Sequence, residues 1–165
     1  VINFDAHFDL RGGAQGSSGT PFRQIAELCV EHGAPFRYLC LGINEDANTA
    51  ALFSTARRLS AQWRLDRDLC SWHLPDVRKR LADFMAGVER IHLSVDLDVL
   101  PAATAPGVSA PAARGVNLEI IECLISDLLA SGKLMLADIA EYNPNYDIDQ
   151  RTARVAARLT AMLAR

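Results

Sequence analysis

Val1-Ile-Asn-Phe-Asp5-Ala-His7-Phe-Asp9 opens the chain. Its first four residues form an apolar run that reads as a buried strand, and Asp5, His7 and Asp9 follow at once. In extended backbone, side chains at i, i+2 and i+4 share a face. Three metal-ligand residue types therefore converge just past a strand end. A second apolar run, residues 91–95, leads into Asp96-Leu-Asp98 and repeats the pattern with two carboxylates. A third, residues 134–140, is closed by Glu141-Tyr-Asn-Pro144.

The segments between these runs read mostly as helices. Thr20-Pro21 marks a helix start, with Thr as cap and Pro in the first turn. Phe22, Ile25, Leu28 and Cys29 carry that helix to His32, and Gly33 stops it. Residues 36–43 read as a strand and 45–62 as a helix with Ala50, Leu52, Phe53, Ala56 and Leu59 on its apolar face. Residues 63–65 form a short strand and 76–87 a helix. A Pro/Ala/Gly-rich loop fills 100–115, Asn117 caps a helix to 130, and the last helix runs over 148–163. Strands and helices alternate without hairpin turns, and the strands are almost uninterrupted apolar runs. This predicts an α/β fold, a three-layer α/β/α arrangement around a mainly parallel sheet. Residues 1–165 read as one domain. Such sheets bind ligands outside the carboxyl ends of their strands, so the three acidic clusters are expected to share one site. The chain starts on a strand without a methionine or a turn, as the interior of a longer protein would.

With 50% hydrophobic residues, 22% charged residues and a net charge of −3, the composition is that of an ordinary globular protein. It lacks the basic face that nucleic-acid binding needs. No apolar run reaches the ~18–20 residues that span a bilayer, and no basic segment with an apolar stretch behind it marks a signal peptide. A soluble, cytoplasmic protein acting on a small molecule is the expectation. Cys29, Cys40, Cys70 and Cys123 form no CxxC pair, and Cys29, Cys40 and Cys123 lie in apolar stretches. They are expected to be buried free thiols in a reducing compartment. His32 and His73 read as surface residues, and His92 as a core histidine. The Gly/Ser-rich loop of residues 10–19 matches neither phosphate-binding glycine spacing and reads as an active-site loop.

Asp5, His7, Asp9, Asp96 and Asp98 offer four carboxylates and one imidazole. That set suits a hard or borderline divalent ion such as Mn2+ or Mg2+ rather than structural zinc. Five ligands exceed what one ion usually takes from protein, so two ions with bridging carboxylates fit better. Such a pair polarises a substrate and activates water at neutral pH. Without a cation, acids crowded at buried strand ends repel one another.

Asp5-Ala-His7-Phe-Asp9, Ser94-Val-Asp96-Leu-Asp98, Ala105-Pro-Gly107 and Asp138-Ile-Ala-Glu141-Tyr-Asn-Pro144 resemble, in order, the motifs of the ureohydrolase family of arginase, agmatinase and formimidoylglutamase. The resemblance covers the whole chain but only the C-terminal half of that family's domain, so the fold implied is arginase-like and truncated at the N-terminus. Phe8-Asp-Leu-Arg11 and Ser17-Ser18-Gly-Thr-Pro-Phe-Arg23 are most similar to the formimidoylglutamase branch, whose members hydrolyse N-formimidoyl-L-glutamate to L-glutamate and formamide in histidine degradation. The resemblance implies two Mn2+ ions, with Asp5 and Asp96 bridging both, His7 and Asp98 on the second ion, and Asp9 on the first and on the hydroxide between them. It implies that Glu141 holds the amidine nitrogens. Ser18-Gly19 stands where arginases and agmatinases carry His-Gly, so Ser18 faces the substrate, the proton-shuttle histidine is absent, and no residue is assigned as proton donor. Arg11 is expected to bind a carboxylate of the glutamate moiety. The family's further histidine ligand lies in the half that this chain lacks, so the first ion's ligand set is one short and partial metal occupancy is expected. The same motifs leave open an agmatinase or guanidino-acid hydrolase, and an inactive fragment that serves only as a subunit. A phosphoesterase is disfavoured by the lack of basic residues near the motifs. Association into a homo-oligomer is a further implication of the family.

Overall fold

The computed structural model describes residues 1–164. Five strands, β1 (Ile2–Phe4), β2 (Leu39–Ile43), β3 (Gln62–Leu65), β4 (Ile91–Asp96) and β5 (Leu134–Ala140), form one sheet in the order β3-β2-β1-β4-β5. Every pairing between them is parallel. β1 lies at the centre, with Ile2 opposite both Leu39 and Leu93. The helices are α1 (Pro21–Glu31), α2 (Ala50–Arg58), α3 (Leu74–Ala86), α4 (Leu118–Ala130) and α5 (Arg151–Leu163).

Alternation along the strands divides the core in two. Ile2 and Phe4, Leu39 and Leu41, and Leu93 and Val95 face α3, α4 and α5, where they pack on Leu81, Leu124 and Leu159. Tyr38 and Cys40 point the other way, into a smaller cluster with Phe8 and the α1 and α2 residues Phe22 and Ala56. Both faces of the central strands are thereby dry, which explains their continuous apolar reading. The three layers match the expected α/β class.

Several local expectations are corrected. The predicted helix 45–62 divides into a short 3-10 turn, Glu45–Ala47, and α2. Asn48 breaks it: its side chain is buried and bonds the backbone of Ala6, Phe8 and Asn44, and Thr49 then caps α2 by accepting from Leu52 N. Thr20 precedes α1 but its hydroxyl bonds Ser17 instead of the helix end, and Asn117 makes no side-chain cap. The strand expected at 36–43 starts at Leu39, and the last helix starts at Arg151, where Asp147, just ahead of it, accepts from the amides of Ile148, Thr152 and Ala153. All four cysteines are free, yet only Cys40 is buried, since α1 and α4 turn Cys29 and Cys123 towards their rims. Leu28 is likewise 53% exposed. His92 is no core residue. It lies on the α1/α2 face of β4, beyond the reach of those helices, and bonds Asp138 of β5 at 2.5 Å; Ser94 Oγ donates to the same carboxylate at 2.7 Å. On that open half-face Leu136, opposite His92, is 57% exposed.

Gly42 in β2 has φ +113°, and a Cβ there would lie 2.3 Å from Val99 Cγ2. The strand shifts register against β3 at this point, which lets the segment after β4 cross close over it. Gly42→Ala combines a backbone conformation that L-residues rarely adopt with a clash against the core, so it should cost on the order of 3 kcal/mol. Denaturant unfolding checks this; an unchanged midpoint would show that the close approach is unimportant.

Candidate metal centre and substrate cavity

β1 ends at Phe4, so residues 5–9 leave the extended conformation, and Asp9 takes φ +50°. The first acidic motif therefore does not present one face, as simple alternation suggested. Its ligands are dealt to two groups instead. In one, donor atoms of Asp5, His7 and Asp98 lie within 4.8 Å of one another; in the other, those of Asp5, Asp9 and Asp96 do. Asp5 belongs to both. Asp96 ends β4, and its carboxylate accepts from Asp98 N at 2.9 Å, starting the 3-10 turn that carries Asp98 round to His7. Asp98 Oδ2 lies 2.9 Å from His7 Nδ1, and its Oδ1 accepts from Ala6 N at 3.3 Å. The register of β1 beside β4, with Phe4 opposite Val95, sets the two loops side by side.

Two further residues steady the cluster. Buried Asn3 donates to Asp5 Oδ2 at 2.9 Å, and His7 N donates to Asp5 Oδ1 at 2.5 Å. Asn48 clamps the backbone on both sides of His7. The sequence reading passed over both asparagines. Asn3 was detectable as the one polar residue inside the first apolar run, two positions before Asp5. Asn48 left no local signal of this role, because the partners it holds beside His7 are 40 or more positions away.

The electrostatics are those of acids packed together. Burial, with the charges of Asp5, Asp98 and Glu141 behind it, pushes Asp96 up to about 10. Burial and the same neighbours push Asp9 to about 8. Burial also raises Asp5, to about 6, against the hydrogen bond from His7. Hydrogen bonds to Asp5 and Asp98 raise His7 to about 10. The cluster thus holds protons where cations would relieve the same repulsion. Oxygen-rich donors with one imidazole, in two triplets sharing a carboxylate, fit a pair of hard divalent ions.

A cavity of about 130 Å³ opens over these groups. His7, Asp9, Asp96 and Asp98 line it together with Arg11, Ser18, Ser109 and Glu141. Glu141 follows β5 directly and has φ +65°. Two acids of this one cavity, Asp9 and Glu141, thus occupy the left-handed region that non-glycine residues avoid, a conformation concentrated at functional sites. Arg11 is placed by Gly19: their backbones bond at 2.9 Å, and a Cβ on Gly19 would strike the Arg11 side chain at 2.7 Å. Every predicted site residue except Asp5, which lies buried beneath, lines this cavity. A larger groove, about 520 Å³, lies on α4 and α5 away from the strand ends and is bordered by the Arg158–Glu122 ion pair.

A family model described as Arginase family matches residues 1–164. The chain is 57% identical over 165 residues to a formimidoylglutamase of Chromobacterium violaceum, covering 100% of this chain and 53% of the relative. It is 59% identical over 161 residues to a formimidoylglutamase of Ralstonia nicotianae, covering 98% and 50%. Among solved structures, the formimidoylglutamase of Bacillus subtilis superposes with a TM-score of 0.86 at 27% identity, covering 98% of this chain and 50% of that one. The arginase of Bacillus caldovelox shares the fold, with a TM-score of 0.83 at 20% identity over 98% and 59%. The chain spans about half the length of the curated relatives it matches. With the family match running from the first strand through the last helix, the chain belongs to the arginase family.

Proposed function

We propose that this chain carries the metal- and amidine-binding residues of a manganese-dependent formimidoylglutamase, which hydrolyses N-formimidoyl-L-glutamate to L-glutamate and formamide. The observation that carries the reading is the pair of three-ligand groups sharing Asp5, with Glu141 and Arg11 on the cavity above them. Relatives named formimidoylglutamase support the branch. The reaction would serve histidine breakdown in the cytoplasm; among the described residues no helix is long and apolar enough to cross a membrane.

Asp5, His7 and Asp98 would hold one Mn2+, and Asp5, Asp9 and Asp96 the other. When bound, such ions supply Lewis acidity and water acidic enough to attack at neutral pH. The chain's own residues do the rest. Glu141 offers carboxylate oxygens to the cationic amidine nitrogens, fixing the carbon above the acid cluster. Arg11 offers a guanidinium fork to a carboxylate of the glutamate portion. Ser18 gives the cavity wall a polar contact. Asp9 Oδ atoms can accept a proton from water entering between the two groups. The second group consists of carboxylates alone, so its ion should bind more weakly than the one held with His7.

Formamide release from N-formimidoyl-L-glutamate with added Mn2+ tests the proposal. It should be measured on this chain and on a chimera in which it replaces the matching half of the Chromobacterium violaceum relative. Activity of the chimera, with little from the chain alone, is expected. A chimera that binds Mn2+ yet cleaves agmatine or a guanidino acid in preference would overturn the substrate assignment. Arg11→Ala in the chimera should raise KM about 10-fold or more with a smaller change in kcat, as loss of a charged substrate contact does. An unchanged KM would remove Arg11 from substrate binding.

A further inference from the structure

We infer that Arg23 is a positioning residue for substrate binding: from the first turn of α1 its guanidinium holds the backbone of Arg11, so that the Arg11 side chain is set to meet a substrate carboxylate. The inference deepens the function proposed above and rests on it for Arg11 as the carboxylate partner. Arg23 Nε donates to Arg11 O at 2.7 Å, and its Nη2 donates to Gly13 O at 3.2 Å. Its Nη1 pairs with Glu27 of the same helix. All three guanidinium nitrogens are thus engaged, and the side chain is only 17% exposed.

Arg11 sits where the chain needs such a hold. Its N–H donates to Gly19 O at 2.9 Å, so Gly19 fixes the peptide group on one side of Arg11 and Arg23 fixes the one on the other. Beyond Arg11 the chain continues as Gly12-Gly13, with no side chains to anchor it, and a Cβ on Gly12 would meet nothing within 4 Å. Backbone of this kind samples many conformations unless it is tied from outside. The other arm of the loop is held from the same helix end. Thr20 Oγ1 accepts from Ser17 N and donates to Ser17 O, both at 2.8 Å.

Two observations separate this role from helix stabilisation and from direct substrate contact. Arg23 lies in the first turn of α1, where the helix dipole disfavours a cation, and it precedes Glu27, the weaker order for an i,i+4 pair. Its side chain also lines a different cavity, about 300 Å³, between α1 and α2. Leu10 and Gly12 line that cavity with it, whereas Asp9 and Arg11 line the substrate cavity. Residues 9–12 therefore form a wall between the two cavities, with Arg11 on the substrate side and Arg23 behind. Arg23 acts on the substrate through Arg11. Without the tie, binding must also order Arg11 and its loop, which weakens capture of the carboxylate. The amidine and metal ends of the site are not touched.

Arg23→Met and Arg23→Lys, each in the Mn2+-loaded chimera and each alone or with Arg11→Ala, test this. Met keeps the stem without donors, and Lys keeps the charge without the fork that reaches two carbonyls. Calorimetry gives the affinities of L-glutamate, which carries the carboxylates and no amidine, and of acetamidine, an amidine with no carboxylate. Both variants should weaken L-glutamate binding about 5-fold or more, leave acetamidine and Mn2+ at parental affinity, and add nothing to the loss caused by Arg11→Ala. Should Met perturb α1, the Lys variant carries the comparison. A Lys variant with parental L-glutamate affinity would reduce Arg23 to a charge. Losses that add to that of Arg11→Ala would make it independent of Arg11, and an equal loss for acetamidine would mark a general defect of the fold. Each of these outcomes overturns the inference while leaving the proposed function intact. Arg11→Ala without effect on L-glutamate would instead overturn the assignment of Arg11 in the proposed function, and this inference with it.

Discussion

Asp96→Asn should make the cation-free protein more stable than the parent while removing most of the stabilisation that Mn2+ confers. Asparagine keeps an oxygen for the amide of Asp98, which is the structural bond that Asp96 makes. What it removes is a carboxyl pushed up to about 10 by burial and by Asp5, Asp98 and Glu141. The sign follows from proton counting. Asp96 and Asp9 have raised values in the fold, so from the ordinary carboxylate range up to about 10 and about 8 the fold retains protons that the unfolded chain has released. His7, raised to about 10, also keeps its proton past the point at which the unfolded chain loses it. All three contributions favour the fold at low pH and are lost as pH rises, so the cation-free parent should weaken between about pH 5 and pH 8 by roughly 1 kcal/mol per pH unit for each such group, with Asp96 and Asp9 acting throughout and His7 only above its ordinary value of 6.5. Mn2+ replaces those protons, so it should flatten or reverse the slope and be bound with proton release. At about pH 8 the variant should gain on the order of 2–4 kcal/mol over the parent without metal. Thermal melts across pH, with and without excess Mn2+, provide the check. A variant that melts below the metal-free parent, or that keeps the full Mn2+ response, would make Asp96 a structural acid.

Glu141→Gln should have the opposite profile, with metal affinity unchanged and turnover lost. Glu141 lies outside both three-ligand groups but lines the same cavity. Glutamine preserves the length and an acceptor for Ser109, and removes only the charge that faces the amidine cation. Deleting one partner of a poorly solvated charge pair costs about 3–4 kcal/mol, so kcat/KM of the chimera should fall about 100- to 1,000-fold. Calorimetric Mn2+ titration should superimpose on that of the parent. Weakened metal binding would move Glu141 into the metal centre, and near-parent turnover would sever it from the substrate.

The sheet and the acid motifs were legible in the sequence because β1 and β2, dry on both faces, and β4 and β5, covered on one, all leave nearly continuous apolar runs, and ligand residues placed just after them stand out. The exact strand ends were not legible. That β1 stops at Phe4 and Asp9 enters the left-handed region depends on Asn3 and Asn48, whose partners are set by the tertiary structure. The misreading of His92 has the same origin. Alternation placed it correctly on one face of β4, but only the extent of α1 and α2 determines whether that face is covered. Thr20 and Asn117 looked like caps because such residues usually are, yet Thr20 is occupied by its own loop.

The central position of β1 has a kinetic consequence. A strand made first must wait for β2 and then for β4, with Ile2 meeting Leu93 only after three intervening helices have been made. Long-range parallel closures of this kind are slow, and until they occur apolar strands such as β1 remain open to wrong partners. His7 and Asp98 come together in the same closing event. Cation capture should therefore appear late in refolding, on the same timescale as burial of β4, and an early metal-dependent phase would indicate that the first loop organises before the sheet.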